Sequence, residues 1–122
     1  MGDIDVSAVT DMGELFERSK RTDFSGIESW DASQVIDVSS MFFRAEFFNT
    51  DISKWNVSNV KNMSRMFSWA TSFNQPLESW DISKVENMDS MFYGAESFSH
   101  MLDSWNLSVE KLKKYFEKHD DF

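Results

Sequence analysis

The chain contains no cysteine, one proline and four glycines among its 122 residues. Without cysteine it can form neither a disulfide framework nor a thiolate zinc site. The few glycines do not form a phosphate-binding loop. No apolar run approaches the roughly 20 residues of a membrane span. The stretch from Met1 to Glu14 carries four acidic side chains, so it does not resemble a secretory signal, and we expect no membrane insertion.

Basic residues are also scarce, since 12 lysines and arginines stand against 21 acidic residues, a formal net charge of −9. Such a surface repels phosphate backbones, so we expect no nucleic-acid partner. Hydrophobic residues make up 41% of the chain and aromatic residues 16%. That content predicts one folded domain over residues 1–122 rather than a disordered chain.

Tryptophan recurs at intervals of 25 residues, and its surroundings recur in the same register. This predicts a repeat protein with units of about 4–29, 30–54, 55–79 and 80–104, followed by a C-terminal cap of 105–122. The first unit is degraded, because Ile4 stands where tryptophan stands later. The clearest columns are Trp30, Trp55, Trp80 and Trp105; Met41, Met66 and Met91, each followed by phenylalanine; Ala45, Ala70 and Ala95; and Phe48, Phe73 and Phe98.

The unit resembles the BspA-like bacterial surface-protein repeats of about 25 or 26 residues. The resemblance is carried by Trp55-Asn56-Val57-Ser58-Asn59-Val60-Lys61-Asn62-Met63-Ser64-Arg65-Met66-Phe67 and by Ala70-Thr71-Ser72-Phe73-Asn74-Gln75-Pro76-Leu77. It covers about Ile4 to Ser108. It implies a leucine-rich-repeat-like solenoid used in adhesion or protein recognition, at the bacterial surface or secreted, and it implies no catalytic residue.

Two periodicities alternate within each unit. Apolar and polar residues alternate over Lys54 to Ser58, which predicts a short strand. Met63, Met66, Phe67 and Ala70 follow the i, i+3, i+4, i+7 spacing of a short helix. We therefore predict an α/β repeat solenoid with parallel strands on one side and helices on the other; a helix-dominated solenoid is the alternative. The predicted helix N-caps are Asp11, Asp37, Asn62 and Asn87.

The two ends of the array differ from its middle. Ser108 is a predicted N-cap for a helix with an apolar face of Val109, Leu112 and Phe116, which would close the C-terminal end. The degraded first unit is expected to close the other end.

Four aromatic residues break the repeat: Phe43, Phe47, Trp69 and Tyr93. Phe43 and Phe47 would share one face of a predicted helix, and Trp69 would lie on the next helix. An exposed aromatic patch is typical of a partner site. Packing between neighbouring helices explains the same residues, and the sequence leaves both interpretations open.

Polar residues follow each tryptophan: Asp31, Asn56 and Asp81, with Asn106 last. On the predicted strand face they would form a mildly acidic surface suited to a basic or sugar-bearing partner, or simply a solvated sheet face. Calcium binding is disfavoured because half of the column is amide. The tryptophan and methionine columns are interpreted as core rather than as ligand or metal sites.

We expect a non-enzymatic protein-binding or adhesion-type module without cofactor or metal. His100 and His119 belong to no nucleophile arrangement, and no catalytic residue is predicted. The alternatives are a self-associating structural repeat protein and a small acidic intracellular inhibitor or immunity-type protein.

Overall fold

The computed structural model describes residues 4–100 and 102–105. Its helices there are two 3₁₀ helices of three residues, Ile27–Ser29 and Asp103–Trp105. These ranges contain no α-helix and no extended strand, and consist almost entirely of turns and loops. The predicted α/β solenoid is therefore wrong, and so is its helix-dominated alternative. Nor does any helix in these ranges have the length and hydrophobicity to cross a bilayer. The predicted cap helix lies outside the described residues.

Four equivalent stretches of backbone, which we call rows one to four, lie side by side. They comprise residues 11–18, 37–44, 62–69 and 87–94. Between rows two and three the N–H of Val38 donates to the carbonyl of Asn62 at 3.0 Å, and that of Phe42 donates to Met66 at 2.9 Å. Every second N–H of rows one and three donates to the next row in the same way. Isolated parallel bridges at the start of each row join Asp11, Asp37, Asn62 and Asn87 in turn.

The backbone of rows one to three cannot be helical because its N–H groups are divided between two kinds of acceptor. The N–H groups that do not cross to the next row turn back within their own row, as Met41 does to the carbonyl of Val38 at 3.1 Å. An α-helix needs them for i−4 carbonyls. Ser40 and Arg44 also have left-handed φ values of 54° and 58°. Each costs about 1–2 kcal/mol, which cross-row hydrogen bonds and apolar burial must offset.

The apolar spacing that predicted a helix nevertheless correctly predicts which side chains are buried. Met63, Met66, Phe67 and Ala70 are fully buried. Two successive i→i+3 turns bring the chain back to the same face after three or four residues, as one helical turn does. The spacing of apolar residues therefore does not distinguish these two backbones.

The predicted strand from Lys54 to Ser58 fails for a related reason. Trp55 and Val57 are buried and Asn56 is exposed, so the alternation correctly indicates burial. The backbone, however, closes turns on either side: the N–H of Trp55 donates to Ile52 at 3.1 Å and that of Val60 donates to Val57 at 3.0 Å. An alternating pattern selects which side chains point inward, but it does not require an extended chain.

Two columns of stacked phenylalanine rings form the centre of the core. Phe42, Phe67 and Phe92 have centroids 5.8 and 5.7 Å apart, with interplanar angles of 3° and 9°. The second column consists of Phe48, Phe73 and Phe98. The ring centroid of Phe73 lies 4.2 Å from that of Phe67 in the first column. Parallel rings at this separation are offset stacks, a favourable aromatic geometry. The row-to-row hydrogen bonds set that spacing.

The buried tryptophans bond through their indole N–H groups to carbonyls 28 residues earlier in the chain. Trp55 Nε1 donates to the carbonyl of Ile27 at 2.9 Å, and Trp80 Nε1 donates to that of Ile52 at 3.1 Å. Trp105 repeats the bond with Leu77 at 3.0 Å. The interpretation of the tryptophan column as core is confirmed. Each indole is a second donor to its carbonyl, which also accepts a backbone N–H in a turn of its own unit.

We expect Trp80→Phe to lower the free energy of unfolding by about 2 kcal/mol, because it removes one of the two hydrogen bonds to the Ile52 carbonyl, which keeps the N–H of Trp55, and leaves the core underfilled. Trp69→Phe is the matched control, since Trp69 is half-buried and its indole N–H makes no hydrogen bond to the described residues. It should cost about 1 kcal/mol or less. Urea unfolding followed by fluorescence measures both; equal losses would contradict a special role for the indole bond.

Candidate functional site

Side chains from all four rows form a continuous surface group that we call the arginine–aromatic cluster: Arg18, Phe43, Arg44, Trp69 and Tyr93. The Arg44 guanidinium carbon lies 5.3 Å from the centroid of the Phe43 ring and 5.5 Å from that of Trp69. Arg18 reaches Phe43 at 5.8 Å, and Trp69 meets Tyr93 edge-on at 5.4 Å. These are cation–π and T-shaped contacts.

Cross-row hydrogen bonds bring the cluster together from residues about 25 positions apart. The N–H of Arg18 donates to the carbonyl of Phe43 at 2.6 Å, and that of Trp69 donates to Tyr93 at 2.7 Å. Arg18, Arg44 and Trp69 occupy equivalent left-handed positions, with φ of 58°, 58° and 59°. Residues that replace one another along the repeat thus become neighbours in space.

Gly94 makes room for the Trp69 ring. A Cβ at Gly94 would lie 2.5 Å from Trp69 Cδ2 and 2.7 Å from Cε3, and its φ is 74°. The indole therefore packs against the backbone of row four. Local packing explains why Trp69 is half-buried, whereas Arg18 and Arg44 remain exposed beside it.

Phe47 does not join the predicted patch. Its side chain is 48% exposed, and no ring or cation–π contact with the described residues connects it to Phe43 or Trp69. The i, i+4 argument that paired Phe43 with Phe47 required a helix, and the chain instead turns after row two, where the N–H of Phe48 donates to Ala45 at 3.2 Å.

An open depression of about 400 Å³ borders the cluster, lined by Arg18, Lys20, Arg44 and Glu46. Lys20 Nζ and Glu46 Oε1 lie 2.9 Å apart at its rim, where both side chains are exposed. Reasoning from the sequence overlooked Arg18 and Arg44. The available signal was their position, since they occupy the repeat column that holds Trp69 in the next unit.

The predicted polar column is present but is not part of a sheet. Asp31, Asn56 and Asp81 are exposed, and each accepts the N–H two residues on, at 2.9, 3.0 and 3.0 Å. These are Asx turns. The predicted N-caps do the same, as Asn62 does with the N–H of Ser64 at 3.0 Å. Their oxygens accept backbone N–H groups as expected, but of turns rather than helices.

Serine hydrogen bonds lower the pKa of the two carboxylates in this column. The Ser33 hydroxyl, followed by its N–H, holds the pKa of Asp31 below the ordinary value of 3.8. The Ser83 hydroxyl and N–H likewise lower the pKa of Asp81. Within the described residues no three acidic or histidine side chains are grouped so as to hold a metal ion.

His100 lies between two groups of the preceding unit. Its Nε2 is 3.3 Å from the Asn74 carbonyl and its Nδ1 is 3.6 Å from Glu78 Oε1. These two contacts join His100 to the unit before it. His119 and Asn106 lie outside the described residues.

A family model described as "Mycoplasma protein of unknown function, DUF285" matches residues 10–122. No curated protein and no solved structure matches the chain.

We expect Gly94→Ala to destabilise the protein by about 1–3 kcal/mol, because the added methyl meets the Trp69 ring at a left-handed position. In a Trp69→Ala background the same change should cost clearly less, because only the backbone strain remains. A double-mutant cycle from urea unfolding measures the difference. Additive losses would show that the ring and the glycine are not coupled.

The lowered pKa values predict an acid-dependent loss of stability. Since the folded-state pKa of Asp31 and Asp81 lies below 3.8, each carboxylate stabilises the fold above about pH 4, and this contribution disappears as the pH falls through the lowered pKa. Between about pH 5 and about pH 2, Asp31→Asn/Asp81→Asn should therefore lose less in melting temperature than the wild type. Asn56→Asp is the reciprocal control and should lose more. Parallel pH profiles would refute the link.

Proposed function

We propose that the chain, which belongs to the family described as "Mycoplasma protein of unknown function, DUF285", is a non-enzymatic protein-binding module of the BspA-like repeat type. Its contact surface is the arginine–aromatic cluster. The observation that carries the proposal is the cluster's continuity: five side chains from four rows touch one another in series at the surface.

The residue types of the cluster are those that dominate protein–protein contacts. Arginine, tryptophan and tyrosine are enriched among residues whose truncation costs most binding energy. Phe43, Trp69 and Tyr93 are half-buried and held by neighbours, so ordering them on binding costs little entropy. A surface that is rigid before contact is a favourable binding surface.

The chemistry of the cluster also suggests what a partner presents to it. The guanidinium groups of Arg18 and Arg44 flank Phe43 and remain exposed. A partner carboxylate pairs with them, while an apolar side chain covers the ring between them. On a protein of net charge −9, this local cationic site selects acidic segments that the rest of the surface repels.

We propose a non-enzymatic role because the cluster acts through charge and aromatic stacking. Its five side chains are two guanidinium groups and three aromatic rings, and none of them is a carboxylate, imidazole or thiol. An adhesion-type role at a bacterial surface is the form of this proposal that the BspA-like resemblance supports.

We expect Phe43→Ser/Trp69→Ser to abolish capture of a partner that the wild type and Phe47→Ser both retain. Phe47 is the matched control because it is an exposed aromatic residue outside the cluster. Full-length chains immobilised at equal density are exposed to surface-protein extracts and the retained proteins are quantified by mass spectrometry.

A protein enriched by the first two baits and lost on the double variant is then purified. Its affinity should fall at least about 30-fold with the double variant and about tenfold with Arg44→Ala. Equal retention by all three baits would refute the cluster as the binding surface.

A further inference from the structure

Row one has an outer edge of backbone carbonyls that receive no N–H from the part of the chain that the structure describes. In rows two, three and four the equivalent carbonyls each accept an N–H from the preceding row, as those of Ser39 and Met41 do from Glu14 and Phe16 at 2.9 Å. No described residue donates to the outer-edge carbonyls, which belong to Asp11, Gly13, Leu15 and Glu17.

The apolar side chains of the first unit are uncovered at the same edge. Leu15 is 51% exposed, whereas Met41 at the equivalent position of the next unit is 0% exposed. Phe16 is half-buried, while its equivalent Phe42 is completely buried. Ile4 is 56% exposed where later units have a buried tryptophan. The expectation that the first unit closes this end is therefore wrong.

The edge has a definite polarity, which restricts what can cover it. Along row one it presents carbonyls, and at the start of the row it presents the N–H groups of Thr10 and Asp11, whose equivalents Ile36 and Asp37 donate to the Thr10 carbonyl. Its occupant must therefore bring N–H donors on alternate residues and one accepting carbonyl, as rows one to three each do for the row after them. Two copies of the outer edge cannot pair along row one, because both offer carbonyls there. Rows one to three of a second copy already donate to their own next rows, and both copies would carry a net charge of −9.

We propose that the outer edge of row one binds a segment with the 25-residue pattern carried by a different polypeptide. The segment extends the ladder by one row: its alternate N–H groups bond the four free carbonyls, and its methionine and phenylalanine side chains cover Leu15 and Phe16. Docking thus continues the contact that already joins rows one and two, by the same logic as strand addition at a sheet edge. This surface meets the arginine–aromatic cluster only at Arg18, the last residue of row one.

The test probe is a synthetic peptide of residues 30–54, which carries the pattern with its N–H donors free. Its binding to the full-length chain is measured by calorimetry. We expect a one-to-one complex that Leu15→Asp weakens at least about tenfold, because a carboxylate replaces an apolar contact at the edge. The matched control is Ile36→Asp: Ile36 is 44% exposed and belongs to the second unit, on the inner side of the first, so its replacement should leave affinity unchanged.

Several outcomes decide the proposal. Each variant is first checked for a native melting temperature, and Leu15→Ser replaces Leu15→Asp if the latter unfolds. A scrambled peptide should not bind. Retained peptide binding by Phe43→Ser/Trp69→Ser would support the edge even if the proposed function failed. Absence of peptide binding, or equal binding to Leu15→Asp, would overturn the proposal. The proposal would also be overturned if the chain alone formed concentration-dependent dimers that Leu15→Asp dissociates, since such dimers would assign the edge to a second copy.

Discussion

The division of backbone N–H groups between two acceptors underlies the structure. In each of the first three rows one set of N–H groups donates to the next row, and the alternate set closes turns within its own row. Buried backbone donors must be satisfied, and this arrangement satisfies them without a helix or an extended strand. It also sets the distance between rows, so the stacking of Phe42 on Phe67 at 5.8 Å follows from it.

The same arrangement places non-glycine residues in the left-handed backbone region, which costs conformational free energy. Left-handed φ values occur at two positions in every row, and glycine occupies only one of them, Gly94. Such backbone persists only where surrounding contacts determine it. Here the fully buried methionine and phenylalanine columns and the indole bonds of Trp55 and Trp80 provide those contacts.

The surface features follow from side-by-side rows. Residues that occupy one repeat column become neighbours, so substitutions in that column create local chemistry. Arginine in two units and tryptophan in the third produce the cation–π series around Arg44. A different column holds Asp31, Asn56 and Asp81. There each side chain accepts an N–H of its own turn, so the surface chemistry is the same from unit to unit.

The sequence alone determined which side chains of the central units are buried and that the oxygens of Asp11, Asp37, Asn62 and Asn87 accept backbone N–H groups. Those properties depend on residue type and spacing, as the burial of Met63, Met66 and Phe67 illustrates. Only the tertiary structure decided the backbone conformation, because the apolar spacing is the same whether N–H groups bond to the i−4 carbonyl or to the i−3 carbonyl and the next row. It also decided that Arg18 and Arg44 join Phe43 while Phe47 does not, because those contacts depend on how rows some 25 residues apart pair.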